Sequence, residues 1–125
     1  MSVLLGTGLG GFCGAVARYY LGSLIMDRWK GSFPLSTYII NISGAFLLCF
    51  LAGLLQQGAV LSPVLNSTIT TGILGAYTTF STFACESVKL VEDSKWLTAL
   101  GYTFGTIFCG FLAGWIGYMA GITIL

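Results

Sequence analysis

Charge is what this sequence has least of. Only 7% of its 125 residues are charged, five basic and four acidic, and the formal net charge is +1. A soluble domain carries about 25% charged residues to keep its surface solvated. So few cannot hold in water a chain that is 56% hydrophobic with mean hydropathy +0.92. A net charge this small offers nothing to nucleic acid. Histidine is absent altogether, which removes the commonest metal ligand and proton shuttle. The four cysteines, Cys13, Cys49, Cys85 and Cys109, lie inside apolar runs and form no C-x-x-C pair. Without metal spacing they read as small packing residues. No Ser/His/Asp set, phosphate loop or carboxylate pair supports enzyme chemistry.

Long uncharged runs are there instead. Val3 to Ala17 has no charge, then Arg18, then an apolar stretch to Met26. A polar cluster follows from Asp27 to Pro34. Gly31 to Cys85 is again free of charge, and so is Trp96 to Leu125. A bilayer core takes about 20 helical residues, so the middle run must hold two spans. It divides at Gln56-Gln57-Gly58 and Ser62-Pro63, its turn-forming positions. The reading is one transmembrane domain over 1–125, all-α, with four spans at about 3–26, 35–57, 63–91 and 96–124. Trp29, Trp96 and Trp115 mostly flank spans, as interfacial aromatics do. Met1-Ser2 supplies no basic leader, so a cleaved signal peptide is not expected. Arg28, Lys30, Lys89 and Lys95 gather at the first and third connections. Taken literally, that bias places both connections in the cytoplasm and both termini outside.

The spans are rich in small residues at intervals of four. Gly6, Gly10, Gly14, Arg18 and Gly22 do this in the first span. Thr37, Asn41, Ala45, Cys49 and Gly53 do so in the second, and Gly101, Gly105, Cys109, Ala113, Gly117 and Gly121 in the fourth. Such stripes let helix backbones approach closely in lipid. They speak for packing and are nearly silent on function.

Polar residues at membrane depth say more, because each needs a partner. Arg18 either snorkels to the headgroups or lines a water-filled vestibule that attracts anions. Glu86 either closes the third span or flanks a polar pathway. Asn41, one turn after Thr37, either bonds between helices or donates to a passing anion. Tyr102 is either an interfacial aromatic or a hydroxyl donor. The densest stretch is Thr78-Thr79-Phe80-Ser81-Thr82-Phe83, preceded by Gly72 and Gly75. Phe80 and Phe83 share one helix face, and Thr82 and Glu86 share another. Two threonines beside glycines are poor helix formers, so the third span is expected to break near its middle, around Gly75–Thr79. Freed carbonyls are tolerated only where protein or a water-filled cavity meets them.

This hydroxyl-phenylalanine stretch resembles the signature of the fluoride-channel family (Fluc, also called CrcB). Gly14-Ala15-Val16-Ala17-Arg18-Tyr19 is similar to that family's G-A-x-x-R-Y motif, and Asn41 with Gly44 to its N-x-x-G motif. Ala76 stands where the family commonly has a second glycine. The resemblance covers the whole chain in length and span number. It implies an antiparallel, dual-topology homodimer in the plasma (inner) membrane with two pores at the interface. It implies passive, selective exit of fluoride from the cytoplasm. It also implies a structural sodium ion at the dimer centre, held by the carbonyls of Gly75 and Thr78. The implied fluoride pathway takes in Phe80, Phe83, Asn41, Ser81, Thr82, Thr37, Tyr102, Glu86 and Arg18. Its side-chain hydroxyls and amide can replace lost water without trapping the ion. Ring edges of the phenylalanines are electropositive and suit an anion. The implied dual topology is preferred over the single orientation that four basic residues suggest. Two other functions compete. A small multidrug-type proton-coupled exporter would need a carboxylate buried in the first span, where this chain has Arg18. A non-transporting scaffold subunit would account for the glycines but not for the hydroxyl-phenylalanine cluster.

Overall fold

The apolar runs fold as helices because a chain in lipid must satisfy its backbone internally. The computed structural model describes residues 1–125, and it contains helices and no strand. Helix α1 covers Ser2–Arg28 and α2 covers Leu35–Gln56. A third passage is assembled from pieces: α3 (Pro63–Ser67), a π-helical segment (Thr68–Leu74), α4 (Gly75–Tyr77) and α5 (Phe80–Glu92). Helix α6 covers Trp96–Ile124. Of these, α2 and α6 are long and apolar enough to cross a membrane on composition alone. Helix α1, at 27 residues, is roughly 40 Å long, although six glycines and Arg18 dilute its hydropathy.

Local chemistry sets the ends. Helix α2 stops at a Schellman turn, with Gly58 at φ +98, Gly58 N–H donating to Leu55 and Ala59 N–H to Leu54. Helix α3 opens with Ser62 as N-cap, its hydroxyl accepting from Leu65 N–H at 3.2 Å, and Pro63 at the first helical position. In the π-helical segment and just before it, the Thr68 and Thr70 hydroxyls donate to the carbonyls of Val64 and Asn66 at 2.7 and 2.8 Å. Those back-bonds supply partners one turn behind, where the wider register departs from the α-helical ladder.

Glycine decides which helices touch. Helix α2 packs along α6, and a Cβ on Gly117 would lie 3.1 Å from the Phe46 carbonyl carbon. Helix α1 packs on the π-helical segment, where a Cβ on Gly14 would lie 2.9 Å from the Ile73 carbonyl carbon. Both distances are shorter than side chains tolerate, so the approach requires glycine. The stripe on α6 is used only in part: Gly101 and Gly105 meet nothing within 4 Å inside the chain. Trp115 also departs from the span-flanking role. It lies well inside α6 and points outward with Phe104, Phe108 and Phe111. These large exposed apolar faces need lipid or protein against them.

Candidate functional site

The site begins where the third passage leaves the helix. Thr78 (ψ 160) and Thr79 (φ −150, ψ 122) are extended between α4 and α5. In an unbroken helix the Thr79 N–H would donate to Gly75. Here it donates to Asn41 Oδ1 at 2.8 Å, while Asn41 Nδ2 donates to the Thr79 carbonyl at 2.8 Å. One amide on α2 thus satisfies both backbone groups of Thr79, as a neighbouring strand would. Gly44, one turn along α2, makes room for the Thr78 methyl. The Thr79 hydroxyl accepts from Thr82 N–H at 3.2 Å and caps α5.

A cavity of about 650 Å³ opens beside this pair, walled by α1, the 29–34 connection, the start of α2 and α5. Arg18, Thr37, Thr79, Thr82 and Glu86 line it, with Lys89, Asp93 and Lys95 also on its wall. Arg18 does not end at a headgroup position: its guanidinium donates to the Thr78 carbonyl at 3.4 Å. The Thr37 hydroxyl donates to Glu86 at 2.5 Å. Thr37 is buried in the chain, so this bond ties α2 to α5 away from bulk water. The N-terminal end of α5, with its positive dipole, starts at this cavity.

An aromatic file continues from α5 into α6. Phe80 and Phe83 rings are 6.0 Å apart, and Phe83 and Tyr102 are 5.3 Å apart. Phe33 meets Tyr102 edge-on at 5.4 Å. Tyr102 is fully buried and its hydroxyl has no hydrogen-bond partner, whereas Phe80 is 79% exposed.

Comparison with known proteins decides the lineage. Residues 5–118 match the model of the family described as CrcB-like protein, Camphor Resistance (CrcB). The chain belongs to the CrcB family. Among its relatives is a protein named fluoride-specific ion channel FluC 1 from Moorella thermoacetica, 45% identical over 83% of this chain and 74% of its own length. FluC 1 from Bacillus cereus is 40% identical over 91% of this chain and 83% of its own. FluC 2 from Geobacillus kaustophilus is 40% identical over 94% and 92%. This CrcB chain is accordingly a multi-pass membrane protein and not an enzyme.

Within the CrcB chain, the fold brings Arg18, Thr37, Thr82 and Glu86 to one cavity and sets Phe83 against Tyr102. Asn41 stands at the extended pair and not on the cavity wall, with one N–H engaged by Thr79. Ser81 is exposed, its hydroxyl 3.3 Å from that of Thr79. Gly75 is exposed on the outer surface of the chain, and Thr78 is half-buried. Residue-type reasoning passed over Thr79, which the structure puts at the centre of the hydroxyl cluster. Its signal was available, since a threonine three residues before another hydroxyl residue at a helix start is an N-cap pattern. Nothing local pointed to Ser43 and Tyr77, whose hydroxyls meet at 2.8 Å.

Proposed function

We propose that this chain is a channel subunit that lets fluoride leave the cytoplasm passively. The observation that carries the reading is the cavity. Arg18 and the hydroxyls of Thr37, Thr79 and Thr82 line it, beside the α5 start that leads into Phe80 and Phe83. Fluoride is small and strongly hydrated, so its path must offer several donors and no deep trap. The names borne by the relatives point to the same ion. Thr37, Asn41, Ser81, Thr82 and Tyr102 serve as donors along the path. Phe80 and Phe83 turn ring edges to the anion. Glu86 orients Thr37, and Arg18 draws anions to the mouth.

A second copy, antiparallel to the first, completes the walls. Support comes from what a single chain leaves bare: Phe80, Gly75, and the Gly101–Gly105 stretch of α6. A structural sodium ion at the dimer centre fits the donor set. Gly75 has lost the Thr79 N–H to Asn41, and Thr78, which accepts from Arg18, keeps a second lone pair. Hard cations take such oxygens. When bound, the ion supplies fixed positive potential near the path and ties the two copies together.

The test is fluoride efflux from liposomes holding only this protein, with chloride as comparison. Rapid, fluoride-selective efflux is expected, and Phe80→Ile or Phe83→Ile should slow it severely with the assembly intact. Absence of efflux from the parent rejects the channel. Parent-like flux and selectivity in both variants reject the phenylalanine path.

A further inference from the structure

The extended pair at Thr78–Thr79 has a local competitor, the straight helix that would return Thr79 N–H to Gly75. Something outside the third passage must therefore hold residues 77–79 open. Asn41 grips Thr79 by two backbone bonds, but a grip on one residue is a pivot. It leaves the short turn α4 free to swing about it. The other flank is held by Tyr77, whose hydroxyl lies 2.8 Å from Ser43 Oγ. The direction of that bond follows from the neighbouring geometry. Ser43 spends its single proton on the Ile40 carbonyl at 3.0 Å, so Tyr77 donates and Ser43 accepts. Around Ser43 stand Ile39, Ile42, Phe46 and Leu47, which offer the tyrosine no substitute acceptor. Between the two grips, the Thr78 methyl rests where a Cβ on Gly44 would stand.

We propose that Tyr77 and Ser43 are positioning residues. Their bond is the second point of a two-point clamp by which α2 fixes the rotation of α4 relative to α5. That rotation sets where Phe80 and Phe83 stand relative to the carbonyls of Gly75 and Thr78. Tyr77 touches no ion in this scheme; it acts through the backbone it anchors. The proposal rests on the channel reading only for its flux readout.

The experiment compares the parent with Tyr77→Phe, Ser43→Ala and the double variant, each first checked for parent-like elution on size exclusion. Tyr77→Phe keeps the ring and removes only the hydroxyl. Amide exchange at Thr79 and Phe80 should quicken roughly five- to tenfold, the range one net hydrogen bond supports. Exchange in α6 should stay at the parent rate. Fluoride efflux should slow by a similar factor, and the fluoride-to-chloride ratio should fall. The double variant should be no worse than either single variant, because both remove the same bond. Unchanged exchange at Thr79 and Phe80 in Tyr77→Phe overturns the clamp. Quicker exchange with parent flux and selectivity overturns the positioning role. A parent that carries no fluoride rejects the channel, and the exchange arm then still decides the clamp.

Discussion

The Thr37 hydroxyl donates to a Glu86 carboxylate oxygen across 2.5 Å, tying the first turn of α2 to the middle of α5 inside the cavity. A carboxylate this far from bulk water depends on each donor it has. Thr37→Val keeps the shape of the residue and removes that donor. A loss of about 1.5–3 kcal/mol is expected, the range for hydrogen bonds to charged groups, together with slower fluoride efflux. Thr37→Ser restores the hydroxyl and should recover most of both. Thermal unfolding and liposome flux on the two variants check this, and equal behaviour of Val and Ser would remove the bond from the argument.

Asn41→Ala takes away two bonds of 2.8 Å at once and leaves both backbone groups of Thr79 without partners. The expected cost is on the order of 2 kcal/mol or more. Asn41→Asp keeps an acceptor for Thr79 N–H but loses the donor to its carbonyl, so it should fall between Ala and the parent in amide protection at Thr79. Protection in Asn41→Ala equal to the parent would show that the extended pair holds itself open.

Gly117 and Gly105 share a helix and differ in surroundings. A side chain at Gly117 meets the backbone of Phe46, whereas one at Gly105 meets nothing within 4 Å. Gly117→Val is expected to cost roughly 1–3 kcal/mol by overpacking. Gly105→Ala should leave the fold of the single chain within about 0.5 kcal/mol of the parent. Melting curves in detergent compare them. Similar losses in both would mean that the α2–α6 seam is not where the tight packing lies.

Orientation is open to direct measurement. The basic residues Arg28, Lys30, Lys89 and Lys95 belong to the first and third connections, yet the antiparallel reading requires copies facing both ways. Labelling of Ser94→Cys in intact cells with an impermeant reagent should reach about half of the molecules. Labelling of all or none would leave a single orientation and end the antiparallel reading.

Much of the architecture is legible because lipid makes demands that composition reveals. Charged clusters at Asp27–Lys30 and Lys89–Lys95 bound the apolar passages, and Gly58 and Pro63 punctuate the rest. The stripe containing Gly10 and Gly14 faces a neighbouring helix, as its spacing requires. The half of the α6 stripe at Gly101 and Gly105 does not, because periodicity reports that a face is flat and not what lies against it. The site is legible in its parts and not in its pairings. That Thr37 meets Glu86, that Asn41 meets Thr79 and that Ser43 meets Tyr77 depends on how α2 slides against the third passage, and no window of sequence contains that offset. The π-helical register of Thr68–Leu74 is hidden for a related reason: it is imposed by α1 pressing Gly10 and Gly14 against it.

That register gives the chain an unusual sensitivity to length. Deleting one residue between Thr68 and Leu74 would let the segment relax to an ordinary α-helix, and everything after it would turn by about 100°. Tyr77, Thr78 and Thr79 would then swing away from Ser43, Gly44 and Asn41 together. A one-residue change in the 57–62 connection would be absorbed by slack before α3 begins. The stretch of this chain least able to gain or lose a residue is therefore inside a helix, where the wide turn works as a phase adjuster between the two halves of the passage.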